Sequence, residues 1–136
     1  MTVQQFLENR FFALACGDYA AVYDSYHHDS PFRQQFVDRS NYIHFAQQHL
    51  GSIRIKNWHC LQQRMVDEKR LEALLVMEVE IEYGYQFFYE LALLIETDTG
   101  CWYYHSAQKL GMDDYSGAPD QIDFHHFDSA TQKIRF

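Results

Sequence analysis

The chain is poor in the residues that interrupt regular structure, with 6 glycines and 2 prolines among 136 residues. That scarcity argues against a collagen-like or low-complexity protein. Cysteine is sparse as well: Cys16, Cys60 and Cys101 stand far apart, odd in number and without a Cys-x-x-Cys pair. They build neither a disulfide framework nor a zinc ribbon, and the expectation is free, buried thiols in a reducing cytosol. Long apolar runs are missing. The longest, Phe11 to Cys16, is far shorter than a bilayer-spanning helix, and "MTVQQFLENR" has no basic stretch followed by an apolar one. This reads as a cytoplasmic protein with no membrane partner. Positive charge is also short, since 11 Lys and Arg against 19 Asp and Glu leave a formal charge of −8. Such a field repels phosphate backbones and excludes nucleic acid as a general partner.

Aromatic residues are plentiful: 10 Tyr, 11 Phe and 2 Trp. Disordered chains lack that much ring surface, so the chain reads as a packed globule. Folding at this length buries roughly 68% of the unfolded surface, which allows one core. Residues 1–110 are read as a single α+β domain and 111–136 as a C-terminal extension, partly docked or flexible, in which "IDFHHF" is the piece able to dock.

The first fifty residues carry helical spacing. Thr2 and Gln5 have the form of a capping box, and Val3, Phe6, Leu7, Leu14 and Ala15 recur on one side until Gly17. Asp18 caps a second helix with the stripe Tyr19, Val22, Tyr23 and Tyr26, which His27 to Ser30 closes. After Ser30-Pro31 and a turn, Asp38 or Ser40 starts a third helix carrying Tyr42, Phe45, Ala46, His49 and Leu50 and ending at Gly51.

From Ile53 onward the pattern alternates. In Leu71 to Tyr83 every odd position is apolar, while Glu72, Glu78, Glu80 and Glu82 occupy even ones, which predicts one buried face and one largely wet face. Further strands are expected at Ile53 to Val66, Tyr85 to Thr97 and Cys101 to Lys109. Their connections are short, so neighbours are antiparallel. Strands of about thirteen residues exceed the usual length and must bend and twist. The expected architecture is N-terminal helices packed on a strongly bent antiparallel sheet, which makes a cone with a cavity. Which residues of Tyr85 to Thr97 face inward depends on the register across Gly84 and stays open.

"RFFALACGDYAAVYDSYHHDS" (residues 10–30), Tyr89-Glu90 and "GCWYYHSAQ" (residues 100–108) resemble the middle domain of the YchJ-like proteins, whose fold belongs to the nuclear transport factor two-like (cystatin-like) cones. The resemblance spans residues 3–110. In that family cysteine-rich SEC-C segments commonly flank this domain and bind zinc. No such segment stands in this chain, so the resemblance implies no zinc. It implies the cone fold and, because such folds often pair through the open sheet face, a homodimer.

Candidate chemistry is thin. Neighbouring side chains on a helix diverge by about 100°, so His27 and His28 are not expected to chelate, whereas Asp24 and His28, four apart, are spaced for a carboxylate to orient an imidazole. "DFHHFD" reads as an exposed polar tail rather than a metal site. Trp58, Phe88, Tyr89, Trp102 and Tyr104 fall in strands and suit the wall of a small-molecule pocket. Glu90 lies amid apolar neighbours, and burial would raise its pKa. The candidate ligand-binding residues are Tyr26, His28, Trp58, Tyr89, Glu90, Trp102, Tyr104 and His105. No catalytic residue, metal or cofactor is assigned. The expected function is a non-enzymatic domain that binds a small apolar or aromatic ligand or a protein partner. The alternatives are an isomerase or dehydratase in which Glu90, Asp24, His28 or His105 converge, and a purely structural domain whose cone is filled by its own rings.

Overall fold

A computed structural model describes residues 1–130 of the chain. Helix α1 (Val3–Cys16) opens on the expected capping box, with Thr2 accepting from the Gln5 amide and Gln5 reaching back to the Thr2 amide. It closes on Gly17, whose φ of 75° suits a residue without Cβ. Helix α2 (Tyr19–Asp24) is capped by Asp18 and buries Tyr19, Val22 and Tyr23. It is shorter than its stripe suggests: it stops at Asp24, and Tyr26 instead forms an isolated parallel bridge with Tyr104. The next segment makes a 3₁₀ turn, Arg33–Gln35. Helix α3 (Arg39–His49) follows, capped by Asp38, and buries Tyr42 and Ala46. His49 is exposed.

Four strands, β1 (Arg54–Met65), β2 (Arg70–Ile81), β3 (Gly84–Glu96) and β4 (Trp102–Leu110), form one antiparallel meander in chain order. Register shifts at Ile55/Asn57, Cys60/Gln62 and Leu93/Leu94 bend the long strands, as bulges do. The helices cover one face. There Val3, Phe6, Leu7 and Phe11 pack with Tyr23, Tyr42, Leu71, Leu75, Leu94 and Trp102.

The first half of the other face of β2 is not wet, which corrects the reading from alternation there, while Glu80 and Glu82 are exposed as expected. Leu74, Val76 and Glu72 are buried there, because Ile122 and Phe127 from the C-terminal segment pack onto Leu74, Val76, Tyr89 and Leu91. A short helix, α4 (Phe124–Asp128), carries Phe127, with Asp123 as its cap. "DFHHFD" is therefore no exposed tail, although His125 remains exposed. Residues 131–136 of the extension lie outside the described residues. The cysteines are free, yet Cys16 is exposed and Cys60 and Cys101 are half-buried, so the expectation of buried thiols is corrected. Among the described residues no helix is long and apolar enough to cross a membrane.

Candidate functional site

Register decides which side chains enter the cone. Leu75 pairs with Glu90 and Met77 with Phe88, so even positions of β3 share the inner face with odd positions of β2. Glu90 therefore points inward among Leu75, Ala92 and their neighbours, and it is buried. Tyr89 takes the opposite face, its ring set edge-on against Tyr115 at 5.1 Å.

The tight link between the helical layer and β4 supplies the rest. The His27 amide donates to the Tyr104 carbonyl and the Tyr104 amide to the Ser25 carbonyl, both at 2.8 Å. This bridge holds the Tyr26 and Tyr104 rings edge to face, 5.3 Å apart. Arg10 comes up between them from α1. Its Nη2 donates to the Tyr26 hydroxyl at 3.0 Å and its Nε to Ser25 Oγ at 3.2 Å. Its guanidinium carbon lies 4.1 Å from the centre of the Tyr104 ring, within cation–π range. Beyond it, the Tyr104 hydroxyl donates to Glu90 Oε1 at 2.9 Å, and Lys109 Nζ stands 3.8 Å from the same oxygen.

These groups end a cavity of about 520 Å³ whose remaining wall is apolar apart from the Tyr42 phenol: Phe11, Leu14, Val22, Phe32, Phe45, Leu50, Ile55, Met77 and Val79 line it, with Ile53, Ile81 and Phe88. Those last three are also exposed and mark the rim. The cone is hollow, and the volume lies in the range of small-molecule sites. Desolvation works against the Arg10 charge, but the Tyr26 and Tyr104 oxygens and Glu90 outweigh it and hold its pKa above the ordinary arginine value. Burial, opposed by Arg10, raises the Tyr26 pKa. Burial and then Glu90 raise that of Tyr104 well beyond the ordinary phenol. At neutral pH the site thus presents a guanidinium and neutral hydroxyls.

Of the residues proposed from sequence, Tyr26, Glu90 and Tyr104 meet in this cavity, and the Tyr89 strand position borders it. The other four do not line it. His28 is exposed and lies 3.4 Å from Asp29. Trp58 is stacked on Phe11 at 4.4 Å, Trp102 is buried in the helix-side core, and His105 meets Ser106 Oγ at 2.9 Å. Asp24 does not orient His28, because it is held by Arg39 through contacts of 3.0 and 2.6 Å. The helical argument separating His27 from His28 also fails, since α2 ends before them and their ring centres are 4.2 Å apart. With Asp29 they bring three possible ligand atoms within 4.8 Å of one another, on the surface.

Arg10 is the residue that sequence reasoning missed. Its signal was present: it follows Phe6 and Leu7 by one helical turn and precedes Ala13 and Leu14 by another. A cation on an apolar stripe calls for a reason.

No family model and no curated protein matches the chain. Among solved structures, a ketosteroid isomerase-like protein from Erwinia carotovora atroseptica SCRI1043 is similar, with a TM-score of 0.62 over 81% of this chain and 93% of that one, at 14% identity. A protein from Catenulispora acidiphila is similar with a TM-score of 0.56 over 82% of this chain and 89% of that one, at 13% identity. At such identities the likeness speaks for the fold alone. The chain has the α+β cone of nuclear transport factor two-like and ketosteroid isomerase-like proteins: helices first, then a bent four-stranded antiparallel sheet.

Proposed function

We propose that the protein is a non-enzymatic binding domain whose cone takes one small, largely apolar ligand. The observation that carries this is the hollow of about 520 Å³, apolar along its wall and polar at one end where Arg10, Tyr26, Tyr104 and Glu90 meet. A buried concave surface with a few converging polar groups is the general form of a ligand site. The test is titration of the full chain with an environment-sensitive apolar dye, together with native mass spectrometry of the purified protein. Saturable dye binding, displaced by small ring compounds, is expected. No binding of any apolar probe and no bound mass would sink the reading.

A second reading, an isomerase or dehydratase, is favoured by one observation, the hydrogen bond from Tyr104 to Glu90 inside the cavity. Glu90 would move a proton and Tyr104 would polarise a carbonyl. Its test is Glu90→Gln assayed on ketones and carbonyl acids, where loss of a measurable turnover is required.

The closer kinship to YchJ-like middle domains is likewise a proposal. Its support is that the two resembling stretches, residues 10–30 and 100–108, supply Arg10, Tyr26 and Tyr104 to one place. A cytoplasmic location fits the free cysteines. A homodimer would use the outer sheet surface that Ile122 and Phe127 leave uncovered, and sedimentation of the full chain decides it.

A further inference from the structure

Arg10 is a buried cation without an anion. The residue is only 9% exposed, yet its side-chain hydrogen bonds go to two hydroxyls, those of Ser25 and Tyr26. Among the described residues it makes no ion pair, and its Nη1 group makes no hydrogen bond. Glu90 is near enough to stabilise the charge but is engaged by Tyr104 and stands beside Lys109. A guanidinium carries five donors in a planar fork, and burying it without a carboxylate partner is costly. The Tyr26 and Tyr104 rings and nearby Glu90 hold the charge in place, and the remaining donors of the fork are suited to an oxyanion from outside the chain.

The cavity as a whole leans the same way. In its lining Lys109 stands against the one carboxylate, Glu90, which among the described residues leaves Arg10 as the cation without an ion pair, inside a chain of formal charge −8. Nothing in the overall field attracts an anion, so any preference for one is local to the cone. A cationic ligand meets the opposite situation, because the ring faces that would receive it at Tyr26 and Tyr104 already face Arg10.

We infer that the occupant of the cone is a small apolar acid, whose carboxylate or equivalent oxyanion takes the vacant donors of Arg10 while its ring or chain lies along the apolar wall. The fork geometry of arginine matches two carboxylate oxygens at once. Lys109, at the exposed end of the same polar cluster, adds attraction at longer range.

This rests on the cone being a ligand site, and the test separates the two claims. The full chain is titrated calorimetrically with three compounds that share one ring body: naphthoate, naphthamide and naphthylmethylammonium. Naphthoate is expected to bind at least about tenfold tighter than naphthamide, the size of one hydrogen bond to a charged group, with the ammonium compound weakest. Arg10→Met should weaken naphthoate far more than naphthamide, whose neutral carbonyl gives up a weaker bond, so that most of the advantage disappears. Should Arg10→Met fail to fold, Lys109→Met, at a largely exposed position, is expected to weaken naphthoate by about threefold or more and naphthamide by less, which narrows the ratio between them. If naphthamide or the ammonium compound binds as tightly as naphthoate, the acid is the wrong class and the ligand site stands. If none of the three binds, the ligand site falls with it.

Discussion

Arg10 Nη2 and the Tyr26 hydroxyl are joined by a buried hydrogen bond of 3.0 Å that ties α1 to the segment following α2. Hydrogen bonds to charged groups contribute about 1.5–3 kcal/mol, and losing one buried partner leaves the other unsatisfied. Tyr26→Phe is therefore expected to lower stability by about 1–3 kcal/mol. In an Arg10→Met background the same change should cost much less, because the buried charge it would strand is gone. The measurement is a double-mutant cycle by denaturant unfolding, with an expected coupling of about 1–2 kcal/mol. Additive effects would mean that the pair does not act as a unit.

Tyr104 and Tyr26 predict how stability depends on alkaline pH. In the unfolded chain a phenol ionises near pH 10. In the folded chain burial holds the Tyr26 pKa above that value and the Tyr104 pKa well above it. As pH rises the unfolded state loses these protons first, so the stability they contribute is fully present below about pH 10 and is lost above it. The melting midpoint should hold up to that pH and then fall steeply, with part of the tyrosinate absorbance appearing only on unfolding. Tyr104→Phe should blunt the alkaline fall, at a cost of about 1–3 kcal/mol at neutral pH because Glu90 loses a donor. Ionisation of all 10 tyrosines near pH 10 in the folded protein would contradict this.

How far the sequence could be read follows from the range of each interaction. Caps are local, so Thr2, Gly17, Asp18 and Asp38 were legible as helix ends. The strands were legible because alternation and turns are local too. Glu90 could be named but not oriented, since its direction hangs on the pairing of Ile81 with Gly84. The site itself depends on Ser25, Tyr26 and His27 meeting Tyr104, strands and helices apart in sequence, and no local pattern announces such a bridge. The covered outer face of β2 had a sign: Leu74 and Val76 break the run of even-numbered glutamates. It was overruled by the stronger alternation around it.

Phe127 measures whether the C-terminal segment belongs to the core. The ring is fully buried against a cluster that includes Leu74, Val76 and Leu91, and Arg64 anchors the same helix through Asp128 at 2.9 Å while also reaching Glu72 at 3.2 Å. Phe127→Ala is expected to cost about 3–5 kcal/mol, the sum of lost burial and an unfilled hole. Hydrogen exchange should then quicken in β2 and β3 facing it. A loss below about 1 kcal/mol would show that the segment merely rests on the sheet.

Met77 offers a way to ask whether the hollow exists in solution. It lines the cavity from β2, is only half-buried, and pairs across the sheet with Phe88 and with Trp58. Met77→Trp adds a large ring at a position where an aromatic residue suits a strand. In a hollow cone the new ring enters open space, so stability should change by less than about 1.5 kcal/mol, while affinity for any ligand in the cavity falls at least tenfold or so. In a cone already filled by its own side chains the same ring overpacks and costs about 1–3 kcal/mol or more. Denaturant unfolding and dye titration of this one variant therefore discriminate: unaltered stability with lost binding requires a real cavity, whereas lost stability with no binding to lose removes the site altogether.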